Sequence, residues 1–147
     1  MNDNDFQHIN QKALRYLAYR EHSRRELEQK LQGFDPDLID AVLDDLAARD
    51  YQSDKRFAES YTRYRIHKGY GERYIRQILK QRGVQNDIIH YVLTDYQHTW
   101  FELAVKVQQK RFHTLPDNPK AYAKQMRFLQ YRGFSSEQIY HALNAAS

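Results

Sequence analysis

Gly33, Gly83 and Gly133 stand fifty residues apart, and the residues around them correspond. Each is followed by an apolar residue: Phe34, Val84 and Phe134. Five positions further on an apolar group begins in each case, at Ile39, Ile89 and Ile139. Glycine tolerates the left-handed conformation that ends a helix, and an apolar residue after it can fold back on the last turn. The segments before the glycines also match, with Leu27 and Leu31, Ile75 and Leu79, and Gln125 and Leu129 in equivalent places. A long amphipathic stretch precedes each pair, over residues 6–20, 54–67 and 98–112. The chain therefore reads as helix, helix, glycine, helix, three times over. Units this small must pack on their neighbours to bury a core. The expected fold is all-α: three tandem three-helix repeats of about fifty residues in an elongated array, over residues 1–52, 53–97 and 98–147.

Local signals agree with that reading. Apolar residues recur three and four apart almost everywhere, as in Leu38, Ile39, Val42, Leu43 and Leu46, and alternation at period two is absent. Ser23-Arg-Arg-Glu26 and Ser135-Ser-Glu-Gln138 are capping boxes, in which a hydroxyl and a later side chain satisfy each other's backbone N–H groups. Asp35-Pro36 and Asn118-Pro119 place a capping oxygen before a proline at the first helical position. Ser53 can cap a fourth helix.

The composition excludes several chemistries. The chain has no cysteine, which removes disulfides, thiolate metal sites and a thiol nucleophile. The seven histidines are scattered, and Asp87 with His90 makes at most half a metal site. Gly69-Tyr-Gly71-Glu-Arg-Tyr74 begins like a dinucleotide fingerprint, but it lacks the third glycine and a preceding strand. No Walker A sequence and no Gly-x-Ser-x-Gly elbow occur. The expectation is a protein without catalytic residues, metal or cofactor. The polar start has no apolar run of a signal peptide, and no window approaches a membrane span, so a soluble cytoplasmic monomer is expected.

The net charge of +4 conceals blocks of opposite sign. Residues 35–54 carry seven acids against Arg49, whereas residues 55–82 carry nine bases against Glu59 and Glu72. Residues 106–134 carry seven bases against Asp117. Arg73, Arg76 and Lys80 step along one helix face, Arg24 and Arg25 stand at the matching place in the first repeat, and Lys120, Lys124 and Arg127 in the third. Lys68 and Tyr70 lie in the turn leading into the second of these helices. A solvated face is the ordinary fate of charge on a helix. A repeated basic stripe interleaved with Tyr61, Tyr64, Tyr70 and Tyr74 also suits a phosphate backbone or an acidic protein groove. Half-buried packing is expected for Tyr61 and Tyr74.

Ala13-Leu-Arg-Tyr-Leu17 followed by Ser23-Arg-Arg-Glu-Leu27-Glu-Gln-Lys-Leu31 resembles the opening of the RecX family of recombinase regulators. Arg56-Phe-Ala-Glu-Ser-Tyr61-Thr-Arg-Tyr-Arg65, Lys68-Gly-Tyr-Gly71, then Ile75, Leu79 and Gly83-Val84 continue the resemblance in order, over residues 10–146. The family usually has a glycine in the turn before the Phe-Ala block, where this chain has Asp50-Tyr51-Gln52.

The resemblance implies a protein that binds the RecA recombinase, lodges in the groove of its nucleoprotein filament and inhibits its activity in recombination and DNA repair. The candidate partner and nucleic-acid contacts are Arg24, Arg25, Lys68, Tyr70, Arg73, Arg76, Lys80, Lys124 and Arg127. DNA is then met through the filament, or weakly alone. Two other classes fit the residues. A stand-alone DNA-binding helical module would bind bare DNA with base preference. A helical assembly scaffold would bind protein without sensitivity to salt.

Overall fold

A computed structural model describes residues 2–144. Met1 and residues 145–147, which the repeat boundaries include, lie outside the described residues. Among the described residues there are nine helices and no strand: α1 (Asn2–Tyr19), α2 (Arg24–Lys30), α3 (Pro36–Ala48), α4 (Asp54–His67), α5 (Glu72–Gln81), α6 (Asn86–Thr94), α7 (Thr99–Phe112), α8 (Pro119–Tyr131) and α9 (Ser136–Leu143). They group as three sets of three, the repeat expected from the glycines. No helix is long and apolar enough to cross a membrane among the described residues.

The caps form as the sequence specifies. Ser23 and Ser135 each complete a capping box, with Glu26 and Gln138 reaching back. Asp35 and Asn118 accept from the first turns of α3 and α8 behind their prolines. The Ser53 hydroxyl accepts from the Arg56 N–H at 3.1 Å.

The helix ends are equally specific. Gly33, Gly83 and Gly133 have φ of +106°, +85° and +96°. At Gly83 the N–H groups of Gly83 and Val84 donate to the carbonyls of Lys80 and Leu79, and at Gly133 those of Gly133 and Phe134 donate to Gln130 and Leu129. Gly69 ends α4 in the same way, a stop that the fifty-residue spacing does not contain. Asp50, at φ +65°, takes the glycine's place after α3. Its N–H donates to the Ala47 carbonyl, and its carboxylate lies 2.9 Å from Arg56. Aspartate is among the few side chains that enter this region routinely.

The contacts divide the chain into two compact units: Met1–Ser60 with Leu79–Ile89, and Tyr61–Ile78 with His90–Ser147. The first holds the first repeat, the second holds the third, and the residues of the middle repeat are shared out between them. In the first unit Ile9 and Ala13 of α1, Leu27 and Leu31 from α2 and its end, and Ile39, Val42, Leu43 and Leu46 of α3 form one buried cluster. Phe34 packs against it, as an apolar residue after a helix-ending glycine should. In the second unit Ala104 and Val107 of α7, Leu129 of α8 and Ile139, Ala142 and Leu143 of α9 close over Phe134. Ile75 and Leu79 are fully buried on α5, while Ile78 beside them is only partly covered.

The three repeat glycines are not equivalent in what surrounds them. A Cβ on Gly33 would meet nothing within 4 Å, whereas one on Gly133 would lie 2.5 Å from the Tyr74 backbone nitrogen. Gly33→Ala is expected to cost about 1 kcal/mol, the conformational penalty alone. Gly133→Ala adds a backbone collision to that penalty and is expected to cost at least about 2–3 kcal/mol. Urea unfolding of the two variants measures the difference; equal costs would contradict the close approach at Gly133.

Candidate polyanion interface

The turn between α4 and α5 is where the basic and aromatic residues of the second unit converge. Two glycines make room for it. A Cβ on Gly69 would lie 2.9 Å from Nη1 of Arg132, and one on Gly71 would lie 2.7 Å from the carbonyl of Gly133. Into that space the end of α8 advances. The Gly71 N–H donates to the Arg132 carbonyl at 2.7 Å, and the Arg73 N–H donates to the Gly133 carbonyl at 3.1 Å. The C-terminal carbonyls of one helix thus satisfy N–H groups at the start of another, groups that otherwise have no partner. Arg132 donates from Nη1 to the carbonyls of Lys68 and Gly69 at 3.0 and 3.1 Å. The glycine pair that resembles half of a nucleotide-binding loop is occupied by this joint.

Above the turn sits an arginine among tyrosines. The Arg65 guanidinium lies 5.1–5.6 Å from the ring centres of Tyr61, Tyr64, Tyr70 and Tyr74. Its Nε donates to the Tyr61 hydroxyl at 2.9 Å. Burial alone would lower the pKa of Arg65, but that hydrogen bond and the neighbouring phenols raise it. Tyr70 lies 4.3 Å from the Tyr74 ring, and Arg132 reaches within 4.8 Å of Tyr70. Lys68 lies over Tyr64, which is more than half exposed. Tyr61 and Tyr74 are half-buried, as their positions on the helices imply.

The predicted contact residues fall into two electrostatic classes. Arg24 lies 2.8, 3.6 and 3.8 Å from carboxylates of Asp44, Asp40 and Glu28, so its charge is largely met within the first unit. Arg76 is paired with Glu72 at 2.8 Å. Arg25 is exposed and extends along Gly83, with Nη1 3.4 Å from the Gln81 carbonyl. Lys68, Arg73, Lys80, Lys124 and Arg127 are exposed, and no carboxylate among the described residues pairs with them. Of the nine, Lys68 and Tyr70 lie in the turn between α4 and α5 and Arg73 follows in the first turn of α5, all in the second unit. Arg65 and Arg132, which organise that turn, were not among them. Helical spacing does put Arg65 one turn from Tyr61, but Arg132 arrives from a distant part of the chain.

The first unit has a joint at the equivalent place, built from charge. Glu26 corresponds to Tyr74 and Arg82 to Arg132. The buried Glu26 carboxylate accepts from Arg20 at 2.9 and 3.1 Å, from Arg82 at 2.6 Å and from the Ser23 N–H at 3.0 Å. Burial would raise its pKa, but the bonds from Arg20 and Ser23 and the charges of Arg20 and Arg82 lower it. His22, buried beside it, has its pKa lowered by burial, and its Nδ1 lies 2.9 Å from the Arg20 carbonyl.

Comparison with known proteins gives these repeats a family. Residues 11–46, 53–93 and 100–143 match, in order, the first, second and third three-helix domains of RecX. The chain belongs to the RecX family. It is 43% identical over 139 residues to the regulatory protein RecX of Vibrio cholerae, covering 92% of this chain and 91% of that one. Against the RecX of Halorhodospira halophila it is 42% identical over 137 residues, covering 91% and 85%. The crystal structure of RecX from Lactobacillus salivarius superposes with a TM-score of 0.82 at 25% identity, covering 97% of both chains. A regulatory role follows from membership of RecX.

The ionic joint makes this RecX chain sensitive to acid. Burial sets the folded pKa of His22 below its ordinary value of 6.5, so the unfolded chain takes up the proton first and stability falls as pH drops below 6.5. Glu26 has a folded pKa below its ordinary 4.5, so its contribution is present above 4.5 and is lost as pH falls further. Thermal melts from neutral to acid pH are expected to show both declines. His22→Gln should remove the first and Glu26→Gln the second; an unchanged profile in both variants would refute the assignment.

Proposed function

We propose that this chain binds the RecA recombinase and its nucleoprotein filament and inhibits recombinase activity in DNA recombination and repair, acting as a cytoplasmic monomer without catalysis. The observation that carries the reading is the ordered match to all three RecX domains, with relatives named regulatory protein RecX aligned over about nine-tenths of the chain. The repeats, divided near residues 52 and 97, are the modules through which it engages its partner.

The exposed cations are suited to a polyanionic surface. Lys68, Tyr70 and Arg73 form the nearest thing to a continuous contact, with Lys124 and Arg127 on α8 and Arg25 and Lys80 in the first unit as further contacts. Arg24 and Arg76 contribute least, because releasing them from their carboxylates offsets any gain from a phosphate. Aromatic rings beside the guanidinium groups keep the turn rigid, so little ordering entropy is lost on binding. DNA contact is made within the filament, where phosphate and protein are presented together, and is weak with bare DNA.

The test is the DNA-dependent ATPase of the host's own RecA, measured with increasing amounts of this protein. Inhibition is expected. The double variant Lys68→Ala, Arg73→Ala should weaken filament binding and flatten its salt dependence by about two units of slope, one for each lost phosphate contact. An unaffected ATPase would overturn the regulatory reading. An unchanged salt slope in the folded double variant would overturn the assignment of this turn alone.

A further inference from the structure

The second unit contains a cleft of about 410 Å³ bordered by the Lys68–Gly69 segment. Its walls come from the end of α4, from α7 and from α8. Ile66, Leu103, Val107 and Phe128 supply apolar surface. Lys68, Lys106, Lys110, Arg111 and Arg132 supply charge, and no acidic residue lines it. The mixture is encoded on α7, where Leu103, Lys106, Val107 and Lys110 follow one another three, one and three residues apart and so share a face.

The details decide what can occupy it. Arg111 and Arg132 lie 5.0 and 4.8 Å from the centre of the Phe128 ring, and Phe112 meets that ring edge-on at 5.5 Å. Of the two rings lining the cleft, Phe128 already carries cations, and only the exposed His67 imidazole offers a nucleobase an open face. The aliphatic surface of Leu103 and Val107 instead suits a large apolar side chain. Arg132 is anchored through Nη1 to two carbonyls and holds its place as a wall. Lys106, Lys110 and Arg111 are exposed at the rim, where charge-assisted bonds to carboxylates are available. The volume lies near the lower end of the usual ligand-site range of about 300–1,000 Å³, room for a side chain and its flanking backbone.

We infer that this cleft holds an acidic peptide segment of a protein partner, with one large apolar side chain seated on Leu103, Val107 and Phe128 and its flanking carboxylates held by Lys106, Lys110 and Arg111. The inference rests on the regulatory reading only for the partner's identity, so peptide binding and recombinase inhibition can fail separately.

The experiment is a fluorescence-anisotropy titration of the full chain with three labelled probes. One is a short peptide with a central Phe among Asp and Glu residues. The second is the same peptide with Ser for Phe, and the third is oligothymidylate of similar charge. The Phe peptide is expected to bind about ten- to a hundredfold more tightly than the Ser peptide, the range set by burying one large apolar side chain. The charge-reversed variant Lys106→Glu, Lys110→Glu, altered only at exposed positions, should lose the Phe peptide. Leu103→Ser, checked for helical content, should bring the Phe peptide down toward the Ser peptide. Absence of peptide binding would overturn the inference, as would equal affinity for the two peptides. Tighter binding of oligothymidylate, lost on Lys106→Glu, Lys110→Glu, would reassign the cleft to nucleic acid and overturn it too.

Discussion

At Gly71 and Gly133 two stretches of backbone approach more closely than any side chain permits. The Gly71 N–H reaches the Arg132 carbonyl at 2.7 Å, and the Arg73 N–H reaches that of Gly133. The end of α8 thereby caps the start of α5, and each helix terminus supplies what the other lacks. Much of the second unit follows from this contact. It fixes where Arg132 stands, and Arg132 in turn packs against Tyr70 and Phe128 and braces the Lys68–Gly69 carbonyls. The basic aromatic turn and the neighbouring cleft share that arginine and Lys68.

The first unit solves the same packing problem differently. Ser23 takes the place of Gly71 and caps α2 itself, so no foreign carbonyl is required there. Glu26 takes the place of Tyr74 and gathers Arg20 and Arg82. A buried carboxylate is costly unless its lone pairs are met, and here hydrogen bonds from two guanidinium groups and a backbone N–H meet them. The two joints therefore respond to different conditions. One is neutral backbone and cation–π contact, while the other is ionic and responds to pH.

This difference also sorts the surface charges. In the first repeat the acidic α3 lies near enough for Asp40 and Asp44 to reach Arg24, so that charge is largely balanced. In the second unit acids are scarce on α7 and α8, and cations collect around the turn and the cleft. The second unit is therefore where positive charge is left exposed on helices α7 and α8 and the turn before α5.

The sequence by itself determined the elements and their repetition. Ser23, Asp35, Asn118 and Ser135 cap helices because their oxygens lie within a turn of the N–H groups they satisfy. Gly83 and Gly133 end helices because their own backbone can turn left-handed. These are local interactions, and a local pattern carries them. The family resemblance was legible for the same reason, in the order of short motifs. Only the tertiary structure decided which charges remain available. Arg24 and Arg73 look alike along the chain, yet one meets three carboxylates and the other is exposed. Arg132 and Gly69 are sixty-three residues apart, and the cleft joins α4, α7 and α8. Such contacts depend on how distant helices pack, and no spacing within a single helix encodes the partner that packing will bring.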